Sequence, residues 1–187
     1  IDGIDALMTE ISAGHPVIVL VNLGLFWYPQ WHYAVVIGYD QEKEEVLLHS
    51  GPTAREVISF GTFNNIWKRS DYWGLLVQPP NRLPAFAEER KWLTAVASLE
   101  NTGQWQAAAT GYTTALKRWN KSFLAWMGLG NSKYNLKELD SSADAFYRAT
   151  QLQPENGLAY NNLAYVLVEQ GKREEALTAA QRAVDLS

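Results

Sequence analysis

One histidine stands in a setting suited to proton transfer. His32 is flanked by aromatic residues and opens the run 33–39, which has the apolar, β-branched composition of a strand. Histidine is the side chain that exchanges a proton most readily near neutral pH. A ring at the start of a strand is held by the sheet while it faces solvent. The sequence therefore predicts that the N-terminal half is a sheet that positions His32.

A second strand is predicted to bring a polar partner to this ring. Residues 46–50 form another apolar run after the charged turn 40–44, and the two runs predict a β-hairpin. Antiparallel pairing around this turn joins positions whose numbers sum to about 82 to 84. We therefore expect Ser50 or His49 within hydrogen-bonding reach of His32. A third residue orients a catalytic histidine in this way.

Other roles for the histidines follow from the same pattern. The alternative for His32 is a ring packed and hydrogen-bonded in an aromatic loop, with no chemical role. His49 is predicted to be an ordinary strand residue, and His15, which precedes a proline, an exposed loop residue. A metal site of His32, His49 and Asp40 is disfavoured, because no pair has a ligand spacing such as His-x-x-x-His. We expect no cofactor.

Composition narrows the class of protein. The net charge of -4 and the pI near 5.4 argue against a nucleic-acid partner, which requires a basic surface. The absence of cysteine excludes disulfides, thiolate zinc sites and a cysteine nucleophile within these residues. The longest apolar run, residues 16–27, is shorter than the roughly 20 residues of a membrane-spanning helix. We expect no membrane-spanning segment.

The remaining elements of the first half follow from periodicity and turn residues. We expect a helix over 2–13, a strand over 17–21, an aromatic loop over 24–30, a strand over 55–59, a short helix over 60–67 and a strand over 72–77. The proline-rich sequence that follows predicts a stiff linker. The predicted domains are therefore residues 1–80 and 87–187, joined by a linker over 81–86.

The second half repeats every 34 residues. Large aromatics recur at this interval as Trp92, Trp126 and Tyr160, and small residues recur as Ala108, Ser142 and Ala176. A 34-residue period with this alternation of large and small residues is the tetratricopeptide signature, in which each unit is a pair of helices. We predict three repeats, at about 89–120, 123–154 and 157–187.

The first helix of each such repeat usually lines a concave groove, so groove positions can be assigned. They are Arg90, Leu93, Ala97, Met127, Asn131, Tyr134, Asn161 and Tyr165. This mixture of apolar, aromatic and amide groups suits an extended peptide or a partner helix. The set lacks the lysine and asparagine residues by which some repeats clamp a terminal carboxylate. The alternative is that the groove packs on the first domain or on another subunit.

The last predicted helix, residues 174–186, has more than one apolar or small side. It carries Leu177 and Val184 in addition to several alanines. Repeat arrays need a polar outer face on their terminal helix. We therefore expect this helix to be covered, either by residues beyond 187 or by another copy of the chain in a homo-oligomer.

The first 80 residues resemble the C-terminal half of the papain-like cysteine peptidases related to the bacteriocin-processing domain of double-glycine-leader exporters. The resemblance rests on the segments HPVIVL at 15–20, WHYAVVIGYD at 31–40, EVLLHSG at 45–51, residues 63–67 and YWGLLVQP at 72–79. It implies that His32 is the family's catalytic histidine. Ser50 stands where the family has aspartate. The family's cysteine and its oxyanion glutamine belong to the N-terminal half of that fold.

The resemblance and the repeats together imply an α+β protein, a papain-like antiparallel sheet followed by an all-α array. One hypothesis is the C-terminal part of a bacterial cysteine peptidase whose repeats bind a peptide or protein. In that hypothesis the cysteine lies upstream, so this chain alone should be inactive. The alternative is a non-catalytic interaction module on a degenerate peptidase scaffold. The resemblance also suggests an extracytoplasmic location.

Overall fold

The computed structural model describes residues 3–187, which form two compact units. Residues up to 78 together with 84–86 form the first unit, and residues 79–83 together with 87–187 form the second. The first unit contains a sheet with two helices, and the second contains helices alone. The predicted α+β class is confirmed.

The first unit is built on a five-stranded antiparallel sheet of order β4-β3-β2-β1-β5. Its elements in chain order are α1 (Ile4–Ser12), β1 (Val17–Asn22), β2 (Trp31–Asp40), β3 (Glu45–Ser50), β4 (Thr53–Ser59), α2 (Phe60–Lys68) and β5 (Gly74–Leu76). Residue 2, the predicted start of the first helix, lies outside the described residues.

The last strand is shorter than predicted for a backbone reason. Asp71 and Tyr72 both adopt positive φ angles, of 55° and 56°, which extended strands exclude. The chain therefore turns at these residues, and β5 begins only at Gly74. The predicted strand over 72–77 is reduced to three residues.

Both helices of this unit pack on the same face of the sheet. Alternate side chains of β1 turn to that face, and Val17 and Val19 are fully buried there. Leu7 of α1 and the rings of Phe63 and Trp67 of α2 complete the same core. The helices thus fix the sheet from one side and hold the strand ends in place.

The β2–β3 pair forms the predicted hairpin. Ala34 lies opposite Ser50 at one end, and Asp40 lies opposite Glu45 beside the turn. The register shifts between Val36 and Gly38, where the ladder has a bulge. The pairing holds the start of β2 and the end of β3 at the same edge of the sheet.

The second unit consists of three helix pairs, so the predicted architecture of three helical repeats is confirmed. They are α3 (Glu89–Asn101) with α4 (Trp105–Arg118), α5 (Phe123–Asn135) with α6 (Leu139–Leu152), and α7 (Gly157–Glu169) with α8 (Arg173–Asp185). No helix among the described residues is both long and apolar enough to span a bilayer.

Large side chains enter spaces that only small residues leave open. A Cβ placed on Gly128 of α5 would lie 2.2 Å from Cζ of the buried Tyr112 ring of α4. A Cβ on Gly130 would likewise lie 2.6 Å from Cε1 of Phe146. The two rings stand 34 residues apart in the sequence, and glycine in α5 lets both approach its backbone closely.

The last described helix, α8, carries exposed apolar side chains, as the sequence indicates. Leu177 and Val184 of α8 are 72% and 67% exposed. A cover for this helix, by further residues or by another copy, stays a prediction.

Candidate functional site

The hairpin brings His32 and Ser50 together. His32 follows the first residue of β2 and lies opposite Val21 of β1, while Ser50 is the last residue of β3. Both share the sheet face of the buried Ala34 and Leu48, at its edge, and both side chains are half-buried. His32 Nε2 lies 3.1 Å from Ser50 Oγ. The predicted contact is confirmed, whereas the chemical role of the pair stays a prediction.

The other candidate metal-binding residues do not join this pair. His49 lies opposite Val35 and is exposed on the other face of the sheet. Asp40 lies at the far end of β2, where backbone hydrogen bonds from Lys43 and Glu42 lower the pKa of its carboxyl group. Among residues 3–187 no group of three His, Cys, Asp or Glu side chains could hold a metal ion.

The prediction for His15 is wrong. Its side chain is buried, 5% exposed, and Nδ1 lies 2.7 Å from Oε2 of Glu10, itself 2% exposed. The Glu10 carboxylate also accepts the backbone N–H groups of Ala85, at 3.1 Å, and Phe86, at 2.6 Å. Local sequence could not reveal this burial, because it depends on donors about 75 positions further along the chain.

The aromatic loop between β1 and β2 is a hairpin extension with a fixed neck. Oδ1 of Asn22, which is 2% exposed, accepts the backbone N–H groups of Gly24 and Gln30, each at 2.9 Å. Arg69 Nη1 donates to the carbonyl oxygen of Asn22 at 3.2 Å and to that of Gly24. A Cβ on Gly24 would lie 2.4 Å from the carbonyl oxygen of Tyr28, so the neck requires glycine there.

We call residues 25–28 of this loop the aromatic finger. Leu25 and Tyr28 form an isolated β-bridge with both backbone hydrogen bonds, and Phe26 and Trp27 make the turn between them. Phe26, Trp27 and Tyr28 are 90%, 79% and 65% exposed. The sequence identifies the loop, but it does not show that the rings point into solvent.

The predicted groove residues divide by exposure. Leu93 and Met127 are buried in the cores of the second unit, so they act there through packing. Ala97 and Tyr134 are half-buried. The exposed side chains of the predicted groove are those of Arg90, Asn131, Asn161 and Tyr165.

A carboxylate missed by the sequence analysis links the first two repeats. Glu100 at the end of α3 accepts hydrogen bonds from Ser132 Oγ at 2.9 Å and from the Tyr112 hydroxyl at 3.2 Å. Burial raises the pKa of Glu100, although both hydrogen bonds oppose the rise. Burial, reinforced by the Glu100 charge, also raises the pKa of Tyr112. Nothing in the 34-residue period marks this position.

A second polar cluster joins the second and third repeats. The Tyr134 hydroxyl donates to the carboxylate of Glu169, and this hydrogen bond raises the pKa of Tyr134. Lys137 Nζ lies 3.7 Å from Glu169 Oε2 and over the Tyr134 ring. The predicted groove residue Tyr134 is therefore held in one orientation.

Two of the predicted groove residues line a cleft formed by α7 and α8. Asn161 and Tyr165 of α7 border a space of about 440 Å³, together with Val168 and, from α8, Leu177. The cleft is mostly apolar in its lining residues. In the two earlier repeats the next repeat packs on the corresponding surface, and Phe146 is buried there.

The sequence comparisons identify both parts of the chain. Residues 93–157 and 147–187 match the tetratricopeptide repeat family and together span about half of the chain. The chain therefore belongs to the tetratricopeptide repeat proteins. Residues 2–74 match the family described as Peptidase_C39 like, so the repeats follow a peptidase-like region. Both predicted resemblances are confirmed.

Individual relatives each match about half of this chain or less. The chain is 35% identical over 57 residues to Protein STIP1 homolog of Dictyostelium discoideum, which covers 30% of this chain. It spans about a tenth of that relative's length. A crystal structure of MamA covers 53% of this chain and 58% of its own, with a TM-score of 0.51 at 18% identity.

A further solved structure is similar at the same level of fold. It is that of YrrB, described as a TPR protein with an unusual peptide-binding site. It is 26% identical, with a TM-score of 0.50, over 54% of this chain and 52% of its own.

Proposed function

We propose that the chain is a polypeptide-binding, peptidase-like protein in which His32 is the proton-transfer residue of the first unit. The contact of His32 Nε2 with Ser50 Oγ at 3.1 Å carries this proposal. It lies in the region that matches the Peptidase_C39 like family. A hydrogen bond to one ring nitrogen fixes the imidazole and directs the other nitrogen to a reacting group.

The proposal specifies the tautomer of the ring. If Nε2–H donates to Ser50 Oγ, the lone pair of Nδ1 is available to take a proton from a nucleophile. A neutral hydroxyl can orient the ring in this way. It cannot stabilise the imidazolium by charge as a carboxylate does. Ser50 would therefore orient the His32 ring without stabilising its protonated form.

The tautomer can be measured by ¹⁵N NMR of the imidazole nitrogens. We expect neutral His32 to carry its proton on Nε2, and we expect Ser50→Ala to weaken that preference. His49, exposed on the opposite sheet face, is the internal reference. A neutral ring protonated on Nδ1 would leave no lone pair there and would contradict the proposal.

A second function is favoured by one observation, the absence of cysteine from all 187 residues. Without a thiolate this chain cannot form an acyl-enzyme, so it would act as a non-catalytic binding module. We expect the purified chain to show no peptide hydrolysis. Turnover that is lost on His32→Ala would overturn this expectation and would require another nucleophile.

We further propose that the repeats bind an extended peptide. The exposed amides of Asn131 and Asn161 can pair with a peptide backbone, and the 66% exposed Tyr165 ring can take an apolar side chain. YrrB, a similar array described as a TPR protein with an unusual peptide-binding site, supports this proposal.

Selection from a random peptide display library with the full chain tests the groove. We expect Tyr165→Ser and Asn131→Ala each to weaken the selected peptides about tenfold, because each removes a direct contact. Tyr147→Ser is the matched control, since Tyr147 is 53% exposed on α6, a second helix of a repeat. Equal loss in the control would show that the peptides bind elsewhere.

A further inference from the structure

The aromatic finger is a rigid, outward-pointing structure rather than a loosely packed loop. Its neck is fixed by the Asn22 side chain, by Arg69 and by the close approach at Gly24. The bridge between Leu25 and Tyr28 then closes the turn. Because the backbone is already ordered, burying the rings against another surface costs little additional conformational entropy.

The fold of the first unit does not use these rings. The core of the unit is formed by α1, α2 and the inner face of the sheet, and no residue of the finger belongs to it. Phe26 at 90% exposure and Trp27 at 79% leave most of their apolar surface in water. Such a concentration of exposed aromatic surface on a fixed turn indicates contact with something outside the chain.

The charge distribution around the finger indicates the kind of surface. Residues 11–39 contain no Lys, Arg, Asp or Glu. The rest of the first unit is acidic, with four basic and nine acidic residues over 1–78. The charged side chain at the neck, Arg69, is engaged by two carbonyl oxygens. Protein hot spots are enriched in arginine as well as in aromatic residues, whereas this tip carries no charged side chain, which suits a neutral lipid surface.

The composition of the tip agrees with the same surface. Tryptophan and tyrosine concentrate at the headgroup level of bilayers because their rings are apolar and their N–H and O–H groups are polar. Within residues 3–187 the Trp27 indole and the Tyr28 hydroxyl make no hydrogen bond. From Asn22 to Phe26 an extended chain reaches at most about 13 Å, enough to seat the rings in the interfacial layer.

We propose that the aromatic finger docks the first unit on the surface of a zwitterionic phospholipid bilayer. Phe26 and Trp27 enter the boundary between headgroups and acyl chains, and Tyr28 stays at headgroup level. Docking is driven by apolar burial, so it needs no anionic lipid, and the acidic first unit is repelled by anionic membranes. This inference is independent of the proposed roles of His32 and of the repeat groove.

Co-sedimentation of the full chain with phosphatidylcholine vesicles tests the proposal. We expect binding that is insensitive to salt and that weakens when phosphatidylglycerol is mixed in. Phe26→Ser with Trp27→Ser should lower the partition at least about tenfold, since two large apolar side chains are lost. The paired control is Leu177→Ser with Val184→Ser, which removes similarly exposed apolar side chains from the second unit.

A second measurement locates the contact. Phosphatidylcholine brominated in its acyl chains should quench the tryptophan fluorescence of the chain, and Trp27→Phe should remove much of that quenching while vesicle binding persists. No vesicle binding, or binding that the finger variant retains, would overturn the proposal. The proposal would also be overturned if the finger variant kept its vesicle binding but lost concentration-dependent self-association or peptide capture. The finger would then be a protein contact.

Discussion

The two units reach stability by different means. In the second unit the same kind of contact recurs, a large ring in a space left by a small residue, as at Gly128 with Tyr112 and Gly130 with Phe146. In the first unit the decisive polar contacts occur once each, as between Glu10 and Phe86 and between Asn22 and Arg69. Periodic contacts leave a periodic trace in the sequence. Single long-range contacts leave none.

Of the substitutions that test this difference, removal of the Glu10 carboxylate should change the free energy of unfolding most. Glu10→Ala leaves the N–H groups of Ala85 and Phe86 and the buried ring of His15 without their acceptor. We expect the free energy of unfolding of the first unit to fall by about 3 kcal/mol. Chemical denaturation followed separately for the two units measures it. Glu88→Ala, at an exposed ion pair with Lys91, is the control and should change little.

A methyl group added where a ring approaches the backbone closely tests the packing of the second unit through the same quantity, the free energy of unfolding. Gly128→Ala gains helix propensity, but its Cβ meets the Tyr112 ring, which is buried and held by Glu100. We expect a net loss of about 1 to 3 kcal/mol in the free energy of unfolding.

Gly61→Ala is the matched substitution in the first unit. Gly61 lies in α2 with nothing within 4 Å of a Cβ, so this change should stabilise by up to about 1 kcal/mol. A stabilising Gly128→Ala would show that the repeats tolerate the ring's displacement. The packing of the Tyr112 ring against α5 would then be less tight than the structure indicates.

The smallest expected effect concerns Glu100, the carboxylate that links the first two repeats. Because burial raises the pKa of Glu100 above its usual value of 4.5, the folded chain holds this proton more tightly than the unfolded chain does. Its contribution to stability is therefore complete below pH 4.5 and is lost as the pH rises through the folded pKa.

Glu100→Gln removes this titration. Thermal unfolding from about pH 4 to pH 7 should show the variant gaining stability relative to the parent chain as the pH rises, by less than about 1 kcal/mol because the group is half-exposed. The replacement also loses an acceptor, but that cost is independent of pH. A difference that stays constant over this range would show that Glu100 titrates as it does in the unfolded chain.

Much of the fold was predictable because its determinants are local or periodic. The spacing of Trp92, Trp126 and Tyr160 indicates the three helix pairs. The charged turn 40–44 indicates the hairpin, and its register places His32 beside Ser50. Strand register follows from a turn and an alternating pattern, both of which a short segment displays.

The rest depended on tertiary contacts. His15 precedes a proline in a loop, which suggests exposure. Its ring is nevertheless buried, in contact with the buried carboxylate of Glu10. Leu93 and Met127 occupy groove positions by spacing, yet the helix packing buries them. The sequence also does not show the solvent exposure of the aromatic finger, because the four large side chains of a loop segment such as 25–28 more often pack against the protein than protrude from it.

The Glu10 contact also constrains how the chain can fold during synthesis. Glu10 is made early, whereas the backbone donors that complete its hydrogen bonds, Ala85 and Phe86, are made only after every strand of the sheet. Until residue 86 has left the ribosome, the Glu10 carboxylate lacks two of its backbone hydrogen-bond donors. The first unit is therefore expected to close late, as the helices of the array begin to emerge.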